Sequence, residues 1–523
     1  MRKIGIFGWG IVAPRSENVE AFAANLGSSE SWLSPFRGGG PNNFLVGDPK
    51  FDFSAYKGWI DNRFPPNRYP QLVEKMDQST QYAVGAFIQA LGQNPGLEEE
   101  LTSLGTAAHV YVGTGLGALP TIYDISIAHH RAERRWNRFW SQPERNADLR
   151  RYLADPESFA EESLPESPEG LVAEERELAQ AAWDRFWAAR SDHLAGFLAA
   201  MREIEGQRVE GDVEAGKMRL MKSKRRRLAR LKEEWGAPQP PWEAVSPKIL
   251  WNIHNSPSAQ ISMLGRITGL SFAPVAACST FGVSLKLAMD AIARGEIKAA
   301  VVGATDPAPH HLSVGGFYNA RVTAADASVS KPLSELRGTH VSGGSALWIV
   351  GDWEHMTAKG FKPLGMEPVA VGVSADADHI ITPSKEGPRA AVRQALDEAH
   401  VDPSEVSTWD LHATATPGDF LEVETLRGVL PDSVLVTARK GTFGHGMSAC
   451  GGWELTAQYL GYARGELFPT PLETAELNGE ISEVHQRFVF DCALAAPGGY
   501  AGKMSMGIGG INACVLSRPL SAE

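Results

Sequence analysis

A layered α/β fold made of two similar halves, with a helical segment inserted in the first, is what this sequence predicts. Three observations carry that prediction. Apolar runs of strand length alternate with amphipathic helical stretches from Ala299 to Leu411, as in βαβ units. Two helices end in closely matching words, Ile292-Ala293-Arg294-Gly295-Glu296-Ile297 and Tyr462-Ala463-Arg464-Gly465-Glu466-Leu467, offset by 170 positions. Between about 122 and 245 charged residues, Trp and Gln rise, β-branched runs vanish and the helical period takes over.

In order along the chain, residues 3–13 read as a buried strand, followed by a helix over Val19–Leu26 capped near Asn18. Glu74 opens a helix that runs to Leu91, and His109–Gly117 is a strand ending in glycines, the form of a strand end that faces a crevice. Inside the insertion, Leu171–Met201 carries a helical stripe of Leu178, Ala181, Trp183, Phe186, Phe197 and Leu198. The segment 217–232 is strongly basic and reads either as a solvated helix face or as a dock for an acidic partner. Pro238, Pro240 and Pro241 close the insertion. Strands follow at Ala299–Ala304, Ser345–Val350, Leu364–Val373 and Ser407–Leu411, with a helix at Pro388–His400.

Composition narrows the function classes. A chain of 523 residues with 43% hydrophobic residues, 53 Gly and 33 Pro suits a globular, loop-rich α/β enzyme. A net charge of −12 argues against general nucleic-acid binding. Four cysteines are too few and scattered for a disulfide framework or zinc ribbon and fit a reducing cytoplasm. No apolar run approaches the roughly 20 residues of a membrane span. The opening residues Met1–Gly10 lack the long apolar region of a signal peptide, so they read as a core strand.

The chemistry centres on Val275-Ala276-Ala277-Cys278-Ser279-Thr280-Phe281-Gly282. An apolar run meets a cysteine among small residues, and a helical pattern follows at once. A strand–turn–helix there places Cys278 at a helix N-terminus, where unpaired N–H groups and the helix dipole favour a thiolate. A cysteine in this setting is, by itself, more often an inert buried residue. Two histidines alter that balance. His412 sits where the strand Trp409-Asp410-Leu411 enters a Thr/Gly/Pro turn, and His445 lies between two glycines close to Lys440. A thiolate and two imidazoles suit acyl transfer through a thioester. The 170-residue offset also carries Cys278 onto Ser448, so two similar halves are expected to face each other with the reactive groups at their junction. The histidines lack metal-ligand spacing, and no metal is expected.

These residues, taken in order, resemble the β-ketoacyl synthases, the Cys-His-His decarboxylating condensing enzymes of the thiolase superfamily. The series is Gly8–Pro14; Lys75-Met76-Asp77 with Gln81-Tyr82-Ala83; Val112-Gly113-Thr114-Gly115; Ala277-Cys278-Ser279; Ser374–His379 with Thr382-Pro383-Ser384; His412–Asp419; Lys440 to His445; and Gly507–Ala513. It covers about three quarters of the chain, all but 122–245. The resemblance implies a thiolase-like layered αβαβα fold, with an N-terminal half over 1–355 carrying the insertion and a C-terminal half over 356–523. It implies that Cys278 takes an acyl group and that His412 and His445 donate hydrogen bonds to a malonyl thioester whose decarboxylation yields the attacking enolate. The backbone N–H groups of Cys278 and Ile508 match the family's oxyanion hole, Lys440 and Glu454 its supporting ion pair, and Thr414 and Thr416 the hydroxyls along the pantetheine arm. No permanently bound cofactor is implied; phosphopantetheine arrives on an acyl carrier protein or as coenzyme A. A homodimer is expected, and an acyl carrier protein as partner, for which the basic segment 217–232 is the candidate dock if it is not simply a solvated face.

Three departures stand out. Met506 and Ile508 replace phenylalanines usual in the last loop, one of them the gate beside the nucleophile, which suggests altered acyl selectivity. Arg337-Gly338-Thr339-His340 and Ser342-Gly343-Gly344 replace the usual Asp-Gly-Phe and Gly-Glu-Gly pattern, and the insertion is far larger than normal. Two other functions share this site: an acyltransferase to a non-carbon nucleophile, and a non-catalytic partner subunit of the chain-length-factor kind. The retained Cys278, His412, His445 and Lys440 count against the second.

Overall fold

Strands form where small and β-branched residues run without interruption, and most are buried on both faces, as a sheet covered on both sides requires. The computed structural model describes residues 2–40, 43–208, 213–484 and 487–520. The first sheet holds β1 (Ile4–Val12), β2 (Ala108–Gly113), β3 (Ser271–Phe272), β4 (Ala299–Asp306) and β5 (Gly344–Asp352). The second holds β6 (Met366–Ala375), β7 (Val406–Asp410), β8 (Leu435–Thr437), β9 (Tyr500–Gly507) and β10 (Ile511–Pro519).

Their orders are β1-β5-β4-β2-β3 and β6-β10-β9-β7-β8, the same path with every label raised by five. The senses match as well. The first two pairings in each sheet are antiparallel and the last two parallel. Each half also has three core helices at corresponding places: α1 (Gln78–Leu91), α2 (Ser256–Leu264) and α3 (Thr280–Ala293), then α4 (Glu386–Ala399), α5 (Gly418–Arg427) and α6 (Cys450–Arg464). α3 and α6 pack on each other and each touches both sheets, while α1 covers β1 and β5 and α4 covers β6 and β10. The result is an αβαβα stack whose central helices carry the N-terminal ends of interest.

Local chemistry shifts several boundaries. Asn18 caps Val19–Asn25, its side chain accepting from the Ala21 N–H at 2.8 Å. The expected continuous helix from Glu74 to Leu91 is broken: Arg68–Lys75 ends, and Asp77 caps α1 by accepting from the Ser79 N–H at 3.0 Å. The helical period over Leu171–Met201 belongs to two helices, Ala173–Ala189 and Asp192–Glu205, the second started by the Ser191 hydroxyl, which accepts from the Leu194 N–H.

The chain divides into two compact units, 1–120 with 250–523, and Thr121–Ile249. The second is all helix where described, and its core is aromatic. Trp136, Trp140 and Phe197 pack with Met201, Ile204 and Leu231, and Trp187 packs with Phe159 and Leu149. The basic segment lies within the helix Val213–Trp235. Among the described residues, no helix is long and apolar enough to cross a membrane.

Candidate active site

Cys278 stands on a short turn of 3₁₀ helix, Ala277–Ser279, that leads directly into α3. Ala277 has φ +47°, a left-handed conformation that costs a side-chain-bearing residue about 1–2 kcal/mol. The turn is locked by its neighbours. The Thr280 hydroxyl accepts from the Ala276 N–H at 3.0 Å and donates to the Ala277 carbonyl at 2.8 Å. Ser279 donates to the carbonyls of Ser505 and Ile511, tying the turn to β9 and β10. The N–H groups of Ile508 and of Cys278 itself are directed at Sγ. A Cβ on Gly507 would lie 2.8 Å from the Ala276 carbonyl, so the strand end can approach the turn only as glycine.

The thiol does not rest as the expected thiolate. Burial pushes Cys278 up to about 11, against the Lys440 ammonium and the Ile508 N–H, which both pull the other way. In a site this enclosed, desolvation outweighs the favourable end of the helix, and the sulfur keeps its proton.

Both histidines converge on that sulfur. One ligand-capable atom from each of Cys278, His412 and His445 lies within 4.8 Å of the other two. The two rings are nearly perpendicular, with centroids 5.4 Å apart. His412 follows β7, and its loop is held from α5. Glu422 accepts from the N–H groups of His412 and Ala413 at 2.7 and 2.8 Å, and Asp419 accepts from those of Thr414, Ala415 and Leu333. His445 is held by the Arg337–Gly344 segment: its N–H donates to the His340 carbonyl at 2.7 Å and its carbonyl accepts from Ser342 at 2.9 Å. His340 is itself buried and neutral, accepting from the Ser330 N–H at Nε2 and facing the Leu45 carbonyl with Nδ1. The departure at 337–344 therefore builds the cradle for His445.

Lys440 spends all three protons here. Its ammonium contacts the His412 carbonyl, lies 3.4 Å from His412 Nδ1 and 2.7 Å from Glu454 Oε1. Burial works against this ammonium, and Glu454 beside it helps keep the proton on. Burial would raise Glu454 too, yet Lys440 and Lys503 bring it below the usual carboxylate range. Burial first, and the Lys440 charge second, hold His412 and His445 well below the ordinary imidazole value, so both rings are neutral. Asp419 and Glu422 are pushed up to about 6 and about 7 by burial.

A cavity of about 340 Å³ opens above the trio, lined by Thr414, Thr416, Met506, Ile508, Phe317 and Ile381 among others. The Thr414 and Thr416 hydroxyls lie 2.9 Å apart on its wall. Met506 is buried in its lining, as is Cys278, whereas Ile508 is 43% exposed. All nine residues singled out in the sequence thus lie in one region, Lys440 and Glu454 behind the rings and the threonines above them. Sequence reasoning missed Lys503, Asp410, Arg439, Asp419, Glu422 and His340. A lysine inside the small apolar strand Ala501-Gly502-Lys503-Met504 was the one visible signal among them.

Two family models match, Beta-ketoacyl synthase N-terminal domain over residues 224–350 and Beta-ketoacyl synthase C-terminal domain over 367–472. A 3-oxoacyl-[acyl-carrier-protein] synthase 2 from Staphylococcus aureus is 27% identical over 280 residues, 51% of this chain and 65% of its own length. The chloroplastic 3-oxoacyl-[acyl-carrier-protein] synthase I of Arabidopsis thaliana is 27% identical over 278 residues, 50% of this chain and 58% of its own. The match therefore spans just under two thirds of the first relative. In overall fold the chain is similar to a β-ketoacyl synthase from Burkholderia phymatum (TM-score 0.69, 16% identity, 100% of both chains). It is similar also to the ishigamide ketosynthase/chain length factor (TM-score 0.68, 19% identity, 99% of this chain and 100% of that one). With two sheets of one topology and a cysteine elbow facing two histidines, the chain matches both β-ketoacyl synthase domains in order and is similar to that family.

Proposed function

We propose that this protein catalyses decarboxylative Claisen condensation of a malonyl thioester with an acyl group carried on Cys278, in fatty-acid or polyketide-type synthesis. The observation that carries the reading is the thiol and two neutral imidazoles within 4.8 Å at the floor of a cavity. Cys278 attacks the acyl thioester; its proton passes through a neutral imidazole to the departing pantetheine thiolate, leaving acyl-Cys278. Malonyl thioester then enters along Thr414 and Thr416. His412 and His445 donate to its thioester oxygen, carbon dioxide leaves, and the enolate attacks the acyl carbonyl. The N–H groups of Cys278 and Ile508 receive the resulting oxyanion, which collapses to a 3-oxoacyl thioester and free thiolate. Lys440, fixed by Glu454, serves His412: an ammonium facing Nδ1 keeps that nitrogen an acceptor and leaves the ring proton on Nε2. The same positive charge works against a dication among the three ligand atoms, and the reaction needs none.

Partners follow from this reading. The substrates arrive on phosphopantetheine, borne by an acyl carrier protein or coenzyme A. We place the carrier on the basic segment 217–232, whose Arg219, Lys222, Arg226 and Arg227 surround a concavity of about 330 Å³. Lys224 is taken up by Glu205, and Lys232 by Glu243. Reversing Arg219, Lys222, Arg226 and Arg227 to Glu raises KM for a carrier-borne substrate and spares small thioesters; an equal response to both rejects the dock. The protein is proposed to work as a cytoplasmic homodimer, with the halves divided near residue 355. Incubation with malonyl carrier and an acyl thioester tests the whole: the expected products are carbon dioxide, an acyl adduct on Cys278 by intact mass, and a 3-oxoacyl thioester. An adduct without carbon–carbon bond formation would transfer the reading to acyl transfer onto another nucleophile.

A further inference from the structure

Behind the two imidazoles lies a row of buried charges longer than one ion pair. Arg439 Nε is 3.0 Å from Asp410 Oδ2, and Lys503 Nζ is 3.7 Å from Asp410 Oδ1 and 2.9 Å from Glu454 Oε2. Glu454 Oε1 holds Lys440, which meets His412. The signs alternate from Arg439 to Lys440, three cations to two carboxylates, and every member is buried. Lys503 sits at the middle. Its protons go to the carbonyls of Leu411 and Met504. Its third proton is left for Glu454 Oε2 at 2.9 Å, while Asp410 Oδ1 faces its charge at 3.7 Å. It therefore acts on Asp410 as a charge and on Glu454 as both charge and donor, which is what a desolvated carboxylate most requires.

We propose that Lys503 is a positioning residue for the condensing site: it fixes Glu454 by its second oxygen and, with Arg439 and Asp410, sets a net single positive charge behind His412 and His445. This rests on the condensing reading above. With Glu454 pinned on both sides, Lys440 is left to address the His412 carbonyl and Nδ1, so the ring keeps its Nε2 proton for substrate. The groups around His412 are Lys440, Glu454, Lys503 and His445, with Glu422 and Asp419 from α5, Asp410 from its own strand and Cys278 opposite. Lys440, His445 and Lys503 each act to keep it neutral.

The tests turn on charge. Lys503→Met leaves the row neutral; Lys503→Met with Asp410→Asn restores its single positive charge; Arg439→Met neutralises it from the far end. The expected result is a malonyl decarboxylation kcat lower by roughly tenfold to a hundredfold in Lys503→Met, with KM little changed. The acid limb of the pH profile moves upward in Lys503→Met and in Arg439→Met, and returns in the double variant. Titration of the His412 and His445 ring signals by NMR gives the same order without turnover. It separates failure of this inference from failure of the condensing reading, which an inactive wild type would signal. Thermal melts establish that each variant is folded. A folded Lys503→Met with unmoved histidine titration, or a double variant that stays shifted, overturns the role. If Lys503→Met does not fold, Arg439→Met against Arg439→Met with Asp410→Asn decides on the same criterion.

Discussion

The two halves of this protein make the same turn twice and fill it differently. Ala277-Cys278-Ser279 and Met447-Ser448-Ala449 are both short 3₁₀ turns entering a central helix, and their first residues, 170 positions apart, both have positive φ, +47° and +50°. At the first, β9 ends in Gly507 and the next N–H points at the open sulfur. At the second, β4 ends in Asp306, the topological counterpart of Gly507, and its carboxylate fills the turn. It takes the Ser448 N–H at 2.8 Å and the Ser448 hydroxyl, with Thr114 Oγ, Gly115 N–H and Leu116 N–H closing the other sides. The fold supplies two equivalent donor pockets. Whether one is chemistry or scaffold depends on whether the neighbouring strand ends in glycine or in a carboxylate.

The sharpest test of that contrast exchanges the side chains for alanine. Cys278→Ala should abolish the acyl mass gain and lower condensation by at least about a thousandfold. Ser448→Ala should keep condensation within about threefold while costing about 1–3 kcal/mol in chemical denaturation, since Asp306 loses a donor in a buried site. Loss of acylation in Ser448→Ala would break the division. The histidines come next. His412→Ala and His445→Ala should each lower malonyl decarboxylation by about a hundredfold to a thousandfold while leaving the acyl adduct on Cys278 intact.

A smaller effect concerns the cradle of His445. Burial depresses His340 to about 4. Above pH 6.5 neither state carries its proton and it adds nothing to the pH dependence; as pH falls from 6.5 to 4 only the unfolded chain takes the proton, and stability is lost. The loss approaches about 3 kcal/mol at pH 4. Asp419 and Glu422, raised by burial, act in the other direction: the folded state binds their protons more tightly, so they cost stability as pH rises from about 4 to 7. The two trends mask each other in the wild type. The stability advantage of wild type over His340→Gln should therefore shrink by about 3 kcal/mol between pH 7 and pH 4 in denaturant titrations.

What the sequence made legible divides along the same line. The strands at Ala299 and Ser345 and the elbow at Cys278 were readable because apolar runs and small residues act locally. His412 and His445 stood out because each breaks into a turn. The 170-residue offset disclosed the duplication, since both halves keep the Ala-Arg-Gly-Glu helix end. The protonation of Cys278 was not legible: helix position favours the thiolate, and only the closed walls of the site reverse it. Glu422 looks like any acid on a helix until its oxygens are seen on the His412 loop. Asp306, Asp410 and Arg439 read as ordinary polar residues at or near strand ends, because their partners lie 27 to 192 residues away.

The smallest expected difference lies in the helices that follow the turns. Gly282 of α3 and Gly452 of α6 are again 170 positions apart, and each lets its helix approach a neighbour. A Cβ at Gly282 would meet the Ala513 Cβ at 2.7 Å, a single methyl on β10. One at Gly452 would meet the Phe281 ring at 2.4 Å and the Ala346 Cβ at 2.5 Å, both fixed in the layer between the sheets. Alanine gains about 1 kcal/mol of helix propensity at either site, and overpacking costs about 1–3 kcal/mol. Gly282→Ala should therefore lie within about 1 kcal/mol of wild type, and Gly452→Ala should lose about 1–2 kcal/mol more. Since Phe281 adjoins the cysteine turn, Gly452→Ala should also slow acylation of Cys278, read by iodoacetamide alkylation rate. The reverse order of stabilities would mean that the central layer yields at α6 and not at α3, and that the elbow bearing the thiol is the more rigid of the two.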